Sequence, residues 1–206
     1  MGRGSGLPIA ELLLVFVIVY ALQLVTAVAD LVAGLFILAP PVSENPWTIV
    51  TSVYAHGDLG HLASNAIALV LFGWPVARST TRARFHLFFL VTGAIAGLSQ
   101  ILVRDLLTAL PLLGFSGVPG VLGASGAVFA LLGYLLASNR LSSGIGSMVE
   151  LPRWVTYSVF IVVAAVLTFA TAQPGVALIA HFTGLLVGLV AGRLNLLSVP
   201  SAAPAR

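Results

Sequence analysis

Ser125 stands in the stretch GVLGASGAVFALLGYLLA, a hydroxyl between two glycines at the head of an apolar run. A serine hydroxyl is a weak nucleophile until a neighbouring base takes its proton. His181, in GVALIAHFTG, is the available base. Attack on a carbonyl builds charge on oxygen, and that charge needs donors already aimed at it. The stretch HGDLGHLASN offers the His61 imidazole and the Asn65 amide, four residues apart and so on one helical face. The backbone N–H of Ser125, at a helix N-terminus, adds a third donor, favoured by the helix dipole. His56 opens the same stretch.

These residues must be positioned by elements of an unusual kind. Of the 206 residues, 59% are hydrophobic and only 7% charged. A soluble domain carries about 25% charged residues. The charges lie in short segments between long apolar stretches, the pattern of an all-α polytopic membrane protein embedded in a lipid bilayer. All nine basic residues are arginine, too scattered for a nucleic-acid footprint. There is no cysteine, hence no disulfide framework. The N-terminal apolar stretch is long, carries Glu11 and has no convincing cleavage site, so it reads as a retained span rather than a signal peptide.

A spanning helix needs about 20 mostly apolar residues. Six stretches fit within a single membrane domain over 1–206: 9–29, 58–77, 85–104, 121–139, 154–172 and 176–195, with Asp30 marking the end of the first. Residues 31–57 are too long and too apolar for an ordinary loop, and Pro40-Pro41 breaks a continuous helix. They read as a partly embedded first loop with Trp47 and Tyr54 as interfacial anchors. With the N-terminus inside, eight arginines fall on the cytoplasmic side and only Arg104 outside. The positive-inside rule then predicts six spans with both termini cytoplasmic.

Spans two, four and six therefore run parallel, outside to inside. Counted from the expected helix starts, Ser125 and His181 each lie about five residues in, roughly 7 Å along the axis. His61 and Asn65 fall at similar depth. Ser, His, His and Asn from three distant stretches thus share one layer near the outer face. Taken singly, each has a plainer reading. A serine in an apolar helix often bonds to its own backbone, a lone histidine can bridge helices, and Gly184, Gly188 and Gly192 form a packing stripe. Polar groups are expensive in a bilayer, and residues that only pack have no reason to share a depth.

No carboxylate has a claim on His181. Asp58 and Asp105 lie near the outer boundary, Glu44 in the loop, and Glu11, Asp30 and Glu150 elsewhere, so a Ser–His dyad is the simpler arrangement. Ser116, in LLGFSGVPG, sits among turn-forming residues and reads as loop. His86 follows Arg82 and Arg84 and reads as an interfacial residue outside the layer.

In these motifs the chain resembles the rhomboid intramembrane serine proteases. The family's G-x-S-G matches Gly123-Ala124-Ser125-Gly126, its H-x4-H-x3-N matches His56, His61 and Asn65, and its A-H-x2-G-x3-G matches Ala180, His181, Gly184 and Gly188. The three occur in order, on the expected spans. The resemblance implies a six-helix rhomboid-like bundle with a cavity open to the outside, closed by a mobile loop before span five. It assigns Ser125 as nucleophile, His181 as general base, His61 and Asn65 to the oxyanion and His56 to the cavity mouth. Its substrates are single-pass transmembrane proteins, cut near the outer end of a helix that unwinds easily, with no metal or other cofactor. Two positions depart from the family pattern: Trp47-Thr48 replaces a frequent Trp-Arg pair, and Phe129 stands where Tyr is common, still able to pack on His181.

Two other classes compete. A non-proteolytic rhomboid-like protein would grip membrane helices without cutting them, but such proteins commonly lack the serine or the histidine. A small transporter would place its polar groups at mid-depth on broken helices, a pattern not seen here.

Overall fold

The computed structural model describes residues 6–109, 120–138, 153–173 and 175–198. Eight helices appear among them: α1 (Leu7–Ala27), α2 (Val32–Phe36), α3 (Thr48–Thr51), α4 (Leu59–Ala77), α5 (Arg82–Thr108), α6 (Ser125–Ala137), α7 (Arg153–Ala170) and α8 (Leu178–Arg193). Three of these, α1, α4 and α5, are long and apolar enough to cross a membrane, and α6, α7 and α8 are shorter apolar helices. The only strand-like pairing among the described residues is an antiparallel bridge between Leu38 and Val121.

The boundaries follow from local chemistry. Pro8 opens α1, where its missing N–H is harmless. A turn ends it, and Asp30 takes φ 55°, one of the two non-glycine positive-φ residues described. Asp58 caps α4 by accepting from the His61 N–H at 2.8 Å. Inside α4 the turn Leu69–Gly73 widens to π geometry just before Pro75, whose ring would crowd the carbonyl of Leu71 in a regular helix. Thr81 caps α5, which begins at Arg82 and runs to Thr108, longer at both ends than the apolar stretch 85–104.

The largest difference from the sequence expectation is at α6. The fourth apolar stretch begins near 121, but the helix begins at Ser125. Val121 is held in the bridge to Leu38, the Gly123 N–H donates to the Ser52 carbonyl at 2.8 Å, and Gly123 takes φ 131°. That conformation is open to glycine and strained for other residues. Residues 31–57 thus form a folded segment that fixes where α6 starts. Within it Trp47 is half-exposed and donates its indole N–H to the Gly34 carbonyl at 2.8 Å. Tyr54 does not anchor freely but stacks on Phe89 of α5.

Two packing regions set the site. A main cluster joins Leu12 and Phe16 of α1, Phe85 and Phe89 of α5 and Ala127, Leu131 and Tyr134 of α6. The second feature is a seam between α6 and α8. Backbone of Gly126, Ala130 and Tyr134 lies where a Cβ on Gly184, Gly188 and Gly192 respectively would have to go. The four-residue spacing on both helices makes this a continuous contact of backbone on backbone, the close approach that small residues permit. At the opposite end, Glu11 of α1 binds Arg82 Nε at 2.8 Å and His86 Nε2 at 2.7 Å. His86 is therefore paired across helices rather than a lone interfacial side chain.

Candidate active site

The α6–α8 seam brings two residues 56 apart in sequence into contact. The Ser125 Oγ and the His181 Nε2 are 2.8 Å apart. Ser125 is the first residue of α6, so its N–H is one of those that a helix cannot satisfy internally. His181 lies one turn into α8 and is 8% exposed. Phe129, one turn beyond Ser125, stacks on the His181 ring with centroids 4.4 Å apart and planes 18° from parallel. The ring is thus confined on one face by an aromatic from the helix that carries the serine.

On the other flank, His61 is placed by the Asp58 cap. Its ring lies against the bare Cα of Gly123: a Cβ there would sit 2.7 Å from Cε1 and 2.9 Å from Nε2. The Gly57 N–H donates to His61 Nδ1 at 3.4 Å, which leaves Nε2, the nitrogen beside Gly123, to carry the proton. Asn65 is buried one turn along α4, and its side-chain amide donates to the His61 carbonyl at 2.9 Å. One N–H of that amide is therefore already committed to its own helix.

His56 is 1% exposed, enclosed between the Phe16 ring at 4.9 Å and the His61 ring at 5.3 Å. Its backbone is clamped by Gln23 of α1, which accepts from the His56 N–H at 3.0 Å and donates to the His56 carbonyl at 3.2 Å. Neither ring nitrogen has a hydrogen-bond partner among the described residues. Burial, reinforced by the neighbouring His61, pushes the His56 imidazole down to about 4.

Three polar residues that the motifs do not single out complete the surroundings. Gln23 holds His56. Gln100 of α5 accepts from the Ala180 N–H at 3.2 Å, satisfying a buried donor in the first turn of α8 beside His181. Thr171, just past the end of α7, places its hydroxyl 3.3 Å from His181 Nδ1. Each is a polar side chain in or beside an apolar helix, and the cost of such groups in a bilayer is the signal that could have marked them. Ser116 and the segment before α7 lie outside the described residues.

The fold and the site together define a polytopic helical membrane protein whose converging helices carry a hydrogen-bonded serine and histidine. The Rhomboid domain family model matches residues 43–198, well over half of the chain. The chain belongs to the rhomboid family. It is 25% identical over 151 residues to "Rhomboid protease GlpG" of Haemophilus influenzae, covering 72% of this chain and 69% of that protein. It is 33% identical over 97 residues to "Rhomboid protease GluP" of Bacillus subtilis, covering 46% and 17%. It is 27% identical over 150 residues to "RHOMBOID-like protein 4" of Arabidopsis thaliana, covering 72% and 34%. The aligned part is thus well under two thirds of GluP and of the plant protein. Helix α1, which supplies Gln23 and Phe16, lies outside the residues matched by the family model.

Proposed function

We propose that this chain is an intramembrane serine endopeptidase acting through a Ser125–His181 dyad. The observation that carries the reading is the 2.8 Å approach of Ser125 Oγ to His181 Nε2. His181 takes the hydroxyl proton as Ser125 Oγ attacks the scissile carbonyl carbon. Charge gathers on the carbonyl oxygen, where the Ser125 N–H, His61 Nε2–H and the uncommitted N–H of the Asn65 amide serve as donors. The tetrahedral intermediate collapses as His181 returns the proton to the leaving amine. A water, deprotonated by the same histidine, then hydrolyses the acyl-enzyme and frees Ser125. His56 supports His61 from behind, and Phe129 holds the plane of the base.

The substrates in this reading are single-pass transmembrane proteins, cut near the outer end of their helix. A peptide bond inside a helix is shielded by its own ladder, so scission follows local unwinding, which small or helix-breaking residues ease. The arginine distribution supports a cell-membrane protein with both termini cytoplasmic and the site opening to the extracytoplasmic side. The alternative, a non-proteolytic helix-binding member, is disfavoured by the presence of both members of the dyad.

The test is reconstitution in liposomes with a tagged single-pass substrate. Ser125→Ala and His181→Ala abolish cleavage, a fall of about 10⁴-fold or more where nucleophile or base is removed, while Ser116→Ala cleaves like the wild type. Product from Ser125→Ala at the wild-type rate would overturn the nucleophile assignment.

A further inference from the structure

We propose that the Thr171 hydroxyl sets the tautomer of His181 and so acts as a positioning residue for the Ser125–His181 pair. The argument is one of hydrogen-bond inventory. A hydroxyl has one proton to give and lone pairs to receive. The Thr171 proton goes to the carbonyl of Thr168, at 2.8 Å, in the last turn of α7. That carbonyl also receives the Thr171 N–H at 3.1 Å, so the Thr171 side chain closes the C-terminus of α7. With its proton spent there, the oxygen facing His181 Nδ1 across 3.3 Å presents a lone pair. The Nδ1 must then carry the imidazole proton, and the Nε2 facing Ser125 Oγ is left as the acceptor.

Only that tautomer can take the serine proton. In the reverse form Nε2–H would point at the hydroxyl and no base would face it. In serine proteases with a third member, a carboxylate fixes the same tautomer. Here a neutral hydroxyl does it, from a residue just past the end of α7, while the pair stands on α6 and α8. The proposal rests on the reading of His181 as the general base.

Two measurements decide it. In ¹⁵N NMR of the full-length protein in detergent, the His181 ring signals are those lost in His181→Asn; the chain has only four histidines to separate. The wild type carries its proton on Nδ1, and Thr171→Val, which keeps the shape and removes the hydroxyl, shifts the population toward Nε2–H. A proton on Nε2 in the wild type would overturn the proposal. The second measurement is labelling of Ser125 by a fluorophosphonate probe. Thr171→Val slows the first-order labelling step about tenfold, the scale of one lost hydrogen bond, with probe affinity unchanged, and Thr171→Ser labels within about threefold of the wild type. Labelling of Thr171→Val at the wild-type rate, with Ser125→Ala and His181→Ala inert, overturns the proposal. A wild type that does not label at Ser125 overturns the protease reading instead, and the NMR tautomer, which needs no turnover, still decides the role of the hydroxyl.

Discussion

The two sides of the site are held together in opposite ways. On one side, Ser125 and His181 meet because the backbones of α6 and α8 touch along Gly184, Gly188 and Gly192, where side chains are missing. On the other, His56, His61 and Asn65 stand on a loop and a helix fastened by the hydrogen bonds they donate to Gln23, to Asp58 and to the His61 carbonyl. The first arrangement is specified by exclusion and tolerates no added atom. The second is specified by polar partners, so it responds to pH and to the loss of single groups. In the proposed reading a hydrolytic site gains from this division: the Ser125–His181 distance is short and stiff, while the proposed oxyanion donors can adjust to the charge.

The largest expected effect comes from disturbing the seam. In Gly188→Ala the new methyl meets the backbone of Ala130, which cannot rotate away as a side chain would. Overpacking of this kind costs about 3 kcal/mol, and parting the helices by an ångström slows Ser125 labelling about 100-fold. Thermal unfolding in detergent and probe labelling read the two effects. A Gly188→Ala protein as stable and reactive as the wild type would show that the seam is loose, and the contrast between the two sides would disappear.

A smaller effect, confined to the polar side, is a pH dependence from His56. Its folded value is held near 4 by burial, below the ordinary value of 6.5 that the unfolded chain regains. Between those values the unfolded chain binds the extra proton, so its contribution to stability is complete above about pH 6.5 and is lost as pH falls toward 4. Unfolding midpoints of the wild type therefore drop across that window, and those of His56→Leu drop less. Equal slopes for the two proteins would remove His56 from the account.

Smallest is the helix cap. Asp58→Ala removes the acceptor for the His61 N–H and lowers stability by about 1 kcal/mol. Because the same cap orients His61, oxyanion stabilisation weakens with it, and labelling slows while the Ser125–His181 contact is untouched. If Asp58→Ala affected stability alone, the position of His61 would be set by Gly123 and His56 and not by the cap.

Much of the site is legible in the chain because motif residues carry their chemistry wherever they stand. Ser125, His61, Asn65 and His181 are polar groups in apolar stretches, and their spacing already places them on converging helices. The glycines of α8 read as a packing stripe for the same local reason. The depth of Ser125 is not legible in the same way. Apolar sequence from 121 reads as helix, but Val121 pairs with Leu38 and the Gly123 N–H with Ser52, contacts with a segment more than 60 residues away. His56 reads as a residue at a cavity mouth, and its ring packs against Phe16 of α1, a helix that carries none of the motifs. Thr171 has no motif at all: a threonine after an apolar helix is ordinary until His181 is found beside it.

The sequence alone determined the class: an apolar composition with sparse arginine-rich loops can only be satisfied by helices in a bilayer, since composition and period act along the chain itself. It also singled out Ser125, His181, His61 and Asn65 as the candidates for chemistry. Tertiary structure decided where α6 begins, which nitrogen of His181 faces the serine, and what lies on the far side of that ring. Those depend on distances of about 3 Å between residues ten or more positions apart and on different elements. Such distances are set by how separate elements pack: α6 on α8 for the Ser125–His181 pair, the segment 31–57 for the start of α6, and the end of α7 for the far side of the ring.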